Sequence, residues 1–475
     1  MNALDLCTDV AAMTALLERS LPGFAGGRAR IEALSVGKVR RSSSVARNPH
    51  PITLCFELTV REGRRLGSVS LYAKMFRNGA SAACFASIDA SQLERPAWGD
   101  AVMHLPELDM VLWALPNDPG LPQLSAMLDA VRLHPLLPWA ALGVDPCRAR
   151  GLDVELLRHE PEQRATLRCT VELDGAAGPA PPRSLRSPPP EGAGPPWERL
   201  RRGPLVVYAK TFADSRGRAI DERFDHLWRE AQHDPSAPLV ARPLGWDERT
   251  RTAWQADARG TPLRDALAAA DNADPLLAQV AQALARLHAA PLPAPHEHSI
   301  AHWVAEARRR RTKIARAVPD SSARVTALVE RLEAQAAQLP PRPLSLIHAD
   351  FHHDQVRLHE GRVVLFDFDE FALGDPMEDV AAFATRLDRE DHAHAFIDAV
   401  AAQGGARFDR RTLDWHLALA ALLQASRAFV FQRPGWRADL ERWLARAEAC
   451  AADTIAPDHP QPPAQGEATR QETFA

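Results

Sequence analysis

The chain has 475 residues, of which 46% are hydrophobic and 25% charged, with a formal net charge of −4. That length suffices for about three domains, and so balanced a charge excludes a global field that would gather nucleic acid or an acidic membrane surface. No apolar run approaches the ~18 residues of a spanning helix, and the first residues, with Asp5, Asp9 and Glu18, carry no signal-peptide pattern. Cys7, Cys55, Cys84, Cys147, Cys169 and Cys450 stand singly with no CxxC pair, which reads as reduced thiols in a cytoplasmic protein.

In chain order, "TLCFELTVREGRRLGSVSLYAKMF" (53–76) predicts an alternating strand, a loop and a second strand. "DMVLWALPNDPGL" (109–121) adds another strand and a turn. The same order recurs as "TLRCTVEL" before "LVVYAKTF" (166–212) and then "RTAWQADARGTPL" (251–263). Both copies carry Tyr-Ala-Lys-x-Phe, so an internal duplication is expected. The second copy is split by residues 175–204, too rich in Pro and Gly to pack, which reads as a grown hairpin loop. From about residue 262 the spacing becomes helical in "TPLRDALAAA", "DPLLAQVAQALARLHAA", "SIAHWVAEARRRRTKIARAV" and "SSARVTALVERLEAQAAQL". The basic run "ARRRRTK" (307–313) is expected to be a solvated helix face rather than a nucleic-acid contact. "QVRLHEGRVVLFDFD" predicts two short strands around a Glu-Gly turn, and helices resume at "PMEDVAAFATRL" and "TLDWHLALAALLQASRAFVF". Strands segregated from helices predict an α+β chain rather than a doubly wound sheet.

The chemistry concentrates in "LSLIHADFHHDQVRLHEGRVVLFDFDEFALGDP" (344–376). A zinc site is disfavoured, because no glutamate follows the first histidine in the HExxH manner and the local pattern alternates toward strand. A nucleophile elbow is absent, since no GxSxG occurs. Phosphoryl transfer fits: it needs one carboxylate to orient and deprotonate an acceptor, and a second carboxylate with a neutral oxygen to hold magnesium against the phosphates. In His-x-Asp-x-x-x-x-Gln, Asp350 has the position of the base, and Gln355 with Asp367 that of the magnesium ligands.

With "HADFHHDQ", "VVLFDFDEFALGDPMEDVA", "VVYAKTF" and "LARLHAAPLP", roughly residues 150–452 resemble the aminoglycoside phosphotransferase and choline kinase-like family. The resemblance implies a protein kinase-like two-lobe fold, an antiparallel strand N-lobe and a helical C-lobe, with a duplicated N-lobe-like domain at the N-terminus. The expected division is 1–148 for the duplicate, 149–260 for the N-lobe, 261–452 for the C-lobe and 453–475 for a disordered tail. It also implies ATP and Mg2+ as cofactors and a small-molecule acceptor. Asp350 resembles the catalytic base, Asp367 the magnesium ligand, and Asp375 and Asp379 the acids that anchor the following helix. Ala349 and Gln355 depart from the family's usual glycine and asparagine. Lys210 resembles the nucleotide lysine, with Glu230, or Glu222 on nearly the same helical face, as its ion-pair partner. Gln255, Ala256 and Asp257 would meet adenine through their backbone. Arg164 in "HEPEQR" could replace the missing Gly-rich loop with a side-chain contact. Lys74, with no catalytic loop of its own, is read as non-catalytic. His352, His353 and Asp354, and on a late helix Trp415, His416, Gln424 and Arg427, either line the acceptor pocket or serve core and surface roles. Two readings compete with the small-molecule kinase: a nucleotide-binding pseudokinase acting as a regulatory or interaction module, and a structural protein.

Overall fold

Leu54, Phe56, Leu58 and Val60 recur at every second position and are all buried, as a strand with one face on a core requires. They lie in a five-stranded antiparallel sheet made of β1 (Ala29–Arg41), β2 (Ile52–Glu62), β3 (Arg65–Met75), β4 (Val102–Leu105) and β5 (Met110–Ala114). Helix α1 (Val10–Ser20), capped by Asp9, covers this face with Met13, Leu16 and Leu17, and a short helix α2 (Ala80–Ala86) links β3 to β4. The computed structural model describes residues 3–41, 52–174, 204–234, 239–404, 408–431 and 435–453, apart from 293 and 295. The expected Pro/Gly-rich insertion, but for Pro204, and the expected tail after Asp453 lie outside the described residues.

A second five-stranded antiparallel sheet follows: β6 (Ala149–Glu160), β7 (Arg164–Leu173), β8 (Leu205–Phe212), β9 (Pro243–Asp247) and β10 (Thr252–Ala256). Its spatial order is first-second-third-fifth-fourth, the same as in the first sheet, and a helix, α3 (Arg216–His233), again stands between the third and fourth strands. The likeness reaches single residues. Lys74 pairs with Val111 across β3 and β5, and Lys210 with Ala253 across β8 and β10. Asp109 and Arg251, each just before the fifth strand, both have positive φ, and their carbonyls accept from Phe76 N and Phe212 N.

One face of β7 and β8 buries the apolar residues Ala165, Leu167, Cys169, Val171, Val207 and Ala209. It packs on Leu121, Leu124, Met127, Trp139 and Leu142, so this core draws on residues before the expected boundary at 149. Strand alternation then sends Arg164, Thr166 and Lys210 to the opposite face, with Thr166 and Lys210 directly paired.

The helical lobe comprises α4 (Leu263–Ala269), α5 (Asp274–Ala289), α6 (Ile300–Ala317), α7 (Ser322–Ala336), α8 (Pro376–Arg386), α9 (Glu390–Gly404), α10 (Arg410–Phe431) and α11 (Trp436–Asp453). One core joins Phe224 and Leu227 of α3 to Leu277 and Leu284 of α5, to Phe351 and Phe368, and to Phe383 and Phe396. A second core packs α6, α7, α10 and α11 around Trp415, which is fully buried and donates its indole N–H to Leu332 O. Trp415 and His416 are therefore interior groups, not acceptor contacts. In the basic run, Arg308 pairs with Glu333 and Arg309 with Glu306 on the exposed side of the helix, whereas the half-buried Arg310 shares Glu306 and turns toward Ser426 of α10. Between α7 and α8 lies the expected hairpin, β11 (Val356–His359) and β12 (Arg362–Leu365). Its two turn residues, Glu360 and Gly361, both have positive φ, as a two-residue turn that follows strand twist requires. Leu239–Val240 adds to one edge of this hairpin and Thr261–Pro262 to the other, tying it to the chain on both sides of β9 and β10. Among the described residues no helix is long and apolar enough to cross a membrane.

Candidate active site

The strand Ser345–Ile347 delivers the chain into His348, which is fully buried against Phe351 and Phe368. The next two backbone amides are held by one carboxylate: His348 N donates to Asp379 Oδ2 at 2.8 Å and Ala349 N to Oδ1 at 2.9 Å. His288 Nε2 lies 2.9 Å from the same Oδ2. Burial alone would raise the Asp379 carboxyl, but the His288 contact and the amides hold it below the usual range. Asp375 caps α8 by accepting from Met377 N and takes Arg342 Nε at 2.7 Å. Both acids thus anchor the loop and the helix that follows it.

Ala349 has φ 64°, the left-handed region that glycine occupies without cost. An alanine there is strained by about 1 kcal/mol. Ala349→Gly should therefore raise the unfolding free energy by about that amount, read from the urea midpoint at unchanged slope.

The second acid, Asp367, is also left-handed, at φ 66°. Its neighbour Phe368 packs between His348 and Phe224 of α3, locking the segment to both lobes. Gln355 Nε2 donates to Asp367 Oδ2 at 2.9 Å. Lys210 Nζ pairs with Asp367 Oδ1 and, at 2.8 Å, with Asp369 Oδ1. Arg164 Nη1 reaches Asp369 Oδ2 at 2.6 Å. Burial opposes both charges, yet Lys210 holds the Asp367 carboxyl well below its usual range, and Asp367 with Asp369 raises the Lys210 ammonium. Lys210 is thus protonated and Asp367 ionised at neutral pH.

Asp350 lies one contact further along. Its Oδ1 accepts from Arg386 Nη2 at 2.8 Å and stands 3.6 Å from Arg427 Nη2, while Oδ2 is 3.9 Å from His352 Nε2. Burial works to raise its carboxyl, and Arg386 and Arg427 overcome that and hold it low. His352 is pushed down to about 4, first by burial and then by Arg386, so its ring is neutral at pH 7. The three loop histidines diverge. His348 faces Phe366 O, His352 stands between Asp350 and Gln355, and His353 Nε2 takes Arg264.

Several expectations need correction. Glu230 does not reach Lys210; it is exposed and lies 3.7 Å from His226 on its own helix. Glu222 is exposed as well. The partners of Lys210 are acids of the 367–369 segment instead. Ala256 N is spent on Arg242 O and is not free for a base, whereas Gln255 lies within β10, paired with Pro243 and Tyr208, and the Asp257 carboxylate accepts from the Tyr208 hydroxyl. Lys74 pairs with Glu162, in the β6–β7 turn of the other sheet, and not with the acid pair. Asp369 and Arg386 were missed. Asp369 could have been found as the position two after Asp367; Arg386 left no sequence signal beyond ending a helix.

The donor set suits magnesium: Asp367 and Asp369 offer carboxylate oxygens and Gln355 an amide oxygen, the hard ligands this ion takes. Among the described residues no group of three or more His, Cys, Asp or Glu is arranged to hold a metal. Magnesium at a nucleotide site needs fewer, one or two carboxylates completed by phosphate oxygens.

Residues 205–416 match the model of the phosphotransferase enzyme family APH, a span that contains Lys210, Asp350, Gln355, Asp367 and Asp379. The matched span takes in three of the five strands of the second sheet and most of the helical lobe. Similar solved structures include the aminoglycoside phosphotransferase APH(4)-Ia, 17% identical, covering 65% of this chain and 95% of that one at a TM-score of 0.43. The choline kinase LicA from Streptococcus pneumoniae is 13% identical, covering 63% and 94% at 0.42. A choline/ethanolamine kinase family protein from Mesorhizobium loti is 15% identical, covering 52% and 84% at 0.40. No curated protein matches.

Proposed function

We propose that this chain is an ATP- and magnesium-dependent phosphotransferase acting on a hydroxyl (or amine) of a small molecule. The observation that carries this reading is the contact path Lys210–Asp367–Gln355–His352–Asp350. It aligns a phosphate-binding cation, two oxygen ligands and a carboxylate base in the order phosphoryl transfer needs. Lys210 binds the α- and β-phosphates when they displace its present carboxylate partners, and Arg164 stands beside it to do the same. Asp367 and Gln355 would hold magnesium, with Asp369 in support. Bound there, the ion would neutralise charge on the phosphate oxygens. Asp350 orients the acceptor and takes its proton; the acceptor oxygen bonds to the γ-phosphorus, and the bond to the β–γ bridging oxygen breaks with ADP leaving.

The first sheet reads as a duplicate of the nucleotide-binding one that has kept its lysine and changed its use. The shared strand order, the paired left-handed residues and the matching lysine register support this. Its contacts hold the turn where a phosphate-covering loop would lie. Asp118 Oδ2 takes Glu162 N at 2.9 Å and His159 Nε2 at 2.8 Å, and Lys74 pairs with Glu162. Gly120 lets this happen, since a Cβ there would stand 2.5 Å from Glu162 Cα. The pseudokinase reading draws on one observation, the engagement of both Asp350 and Asp367 by internal cations. The deciding experiment is differential scanning fluorimetry with ATP, with and without magnesium, followed by ADP release. Magnesium-dependent stabilisation with turnover supports the enzyme. Stabilisation without turnover in any acceptor mixture favours the pseudokinase, and no stabilisation removes both.

A further inference from the structure

The charge around Asp350 points to the acceptor's chemistry. Arg386, at the end of α8, and Arg427, on α10, both face this carboxylate. Arg427 in turn feels Arg310 of α6. Arg310 reaches Ser426 Oγ at 3.5 Å and shares Glu306 with Arg309. One carboxylate therefore faces two guanidinium groups, and a third stands behind them. Neither buried Nε, of Arg386 or of Arg310, has a hydrogen-bond partner among the described residues. Those buried atoms are out of a ligand's reach, but Arg427 beside them is accessible, and an anionic oxygen there forms the stronger, charge-assisted bond to a guanidinium.

The nucleotide does not account for these cations. Its phosphates meet Lys210 and Arg164 of the second sheet, at the Asp367 end of the contact path. Arg386, Arg427 and Arg310 come from the helical lobe and lie at the Asp350 end, separated from Lys210 by Asp367, Gln355 and His352. Arg427 is 45% exposed on its side chain and Asp350 30%, so a ligand can reach both. A rival cavity of about 330 Å³ next to the loop is lined by Asp271, Asp388, Asp391, Arg264 and His353 and would suit a cationic acceptor. None of its lining residues is a hydrogen-bond or ion-pair partner of Asp350 among the described residues, and Asp350 is where the reacting hydroxyl must sit.

Resting on the phosphotransferase reading, we infer that the acceptor is an anionic hydroxy compound, its carboxylate or phosphate held by Arg427 and Arg386 while its hydroxyl meets Asp350. The anion draws the guanidinium groups off Asp350 and so frees the carboxylate to accept the hydroxyl proton. The bonds made and broken are otherwise those of the transfer of ATP's γ-phosphoryl group to the acceptor oxygen already described. Arg427 is then a specificity-determining residue, and cationic acceptors are repelled.

The test is ADP release by the full chain with Mg-ATP, at constant ionic strength, over three acceptor sets. D-glycerate and D-gluconate carry a carboxylate and glucose 6-phosphate a phosphate; glucose and glycerol are neutral; choline and kanamycin are cationic. The expected result is a kcat/KM for at least one anionic compound more than tenfold above every neutral and cationic one. Arg427→Gln should raise KM for that compound more than tenfold, and Arg427→Lys should recover part of the loss. The carboxylate and phosphate arms identify which anion is read. A neutral or cationic acceptor that matches the anions, or an anion whose KM ignores Arg427, overturns the inference. If none of the seven compounds is phosphorylated, the same anions must still raise the melting temperature of the Mg-AMP-PNP complex in wild type but not in Arg427→Gln; absence of that shift also overturns it. Failure of the underlying reading shows separately, as wild-type protein that magnesium and ATP do not stabilise.

Discussion

Asp350→Asn should lower kcat by about 10² to 10⁴, the range a positioned general base contributes, with magnesium-dependent ATP binding retained. The asparagine keeps the shape and one oxygen for Arg386 but cannot take a proton. Arg386 Nη2, now 2.8 Å from Oδ1, would still have a neutral acceptor. Melting temperature therefore separates lost chemistry from lost folding, and single-turnover ADP formation measures the chemistry directly. Unchanged turnover in this variant would remove Asp350 from the mechanism.

Asp379→Ala should destabilise the chain by about 3 to 5 kcal/mol, the cost of removing one partner from a buried charged cluster. The carboxylate is fully buried and accepts from His348 N, Ala349 N and His288 Nε2, two of these from buried residues that would be left without their partner. Urea unfolding at constant slope reads the loss. The sign with pH follows from the lowered carboxyl: its contribution is present above the ordinary aspartate range near ~3.9 and is lost as pH falls through the folded value. Wild type should thus lose stability on acidification below about pH 4, and Asp379→Ala should lose less. Because the same carboxylate sets the backbone just before Asp350, activity should fall with stability in this variant.

The alternating runs of β2, β7 and β8 and the helical spacing of α5 to α8 and α10 were legible because strand and helix periods are written locally, in which neighbours share a face. The hairpin β11–β12 was legible for the same reason, its Glu-Gly pair supplying two left-handed positions. Helices α9 and α11 were not read, since their apolar residues become a face only against the packed lobe. The spacing of Asp350, Asp367 and Asp379 also carried real information, because one short loop and one hairpin decide where all three carboxylates go.

Partners were another matter. The sequence by itself determined which residues could serve as base, ligands, anchors and lysine, and that two strand units share one pattern. Only the tertiary structure decided that Lys210 meets Asp367 across 157 positions, that Lys74 meets Glu162 across 88, and that Arg386 meets Asp350 across 36. The reason is physical: periodicity specifies which face of an element is apolar, whereas an ion pair depends on how two faces from distant parts of the chain are brought together. Glu230 satisfied the helical spacing expected of a lysine partner and still points to solvent, because the acids of the 367–369 segment occupy that place. The basic surround of Asp350 arises in the same way, from α8 and α10 converging on a single carboxylate, with Arg310 of α6 behind them.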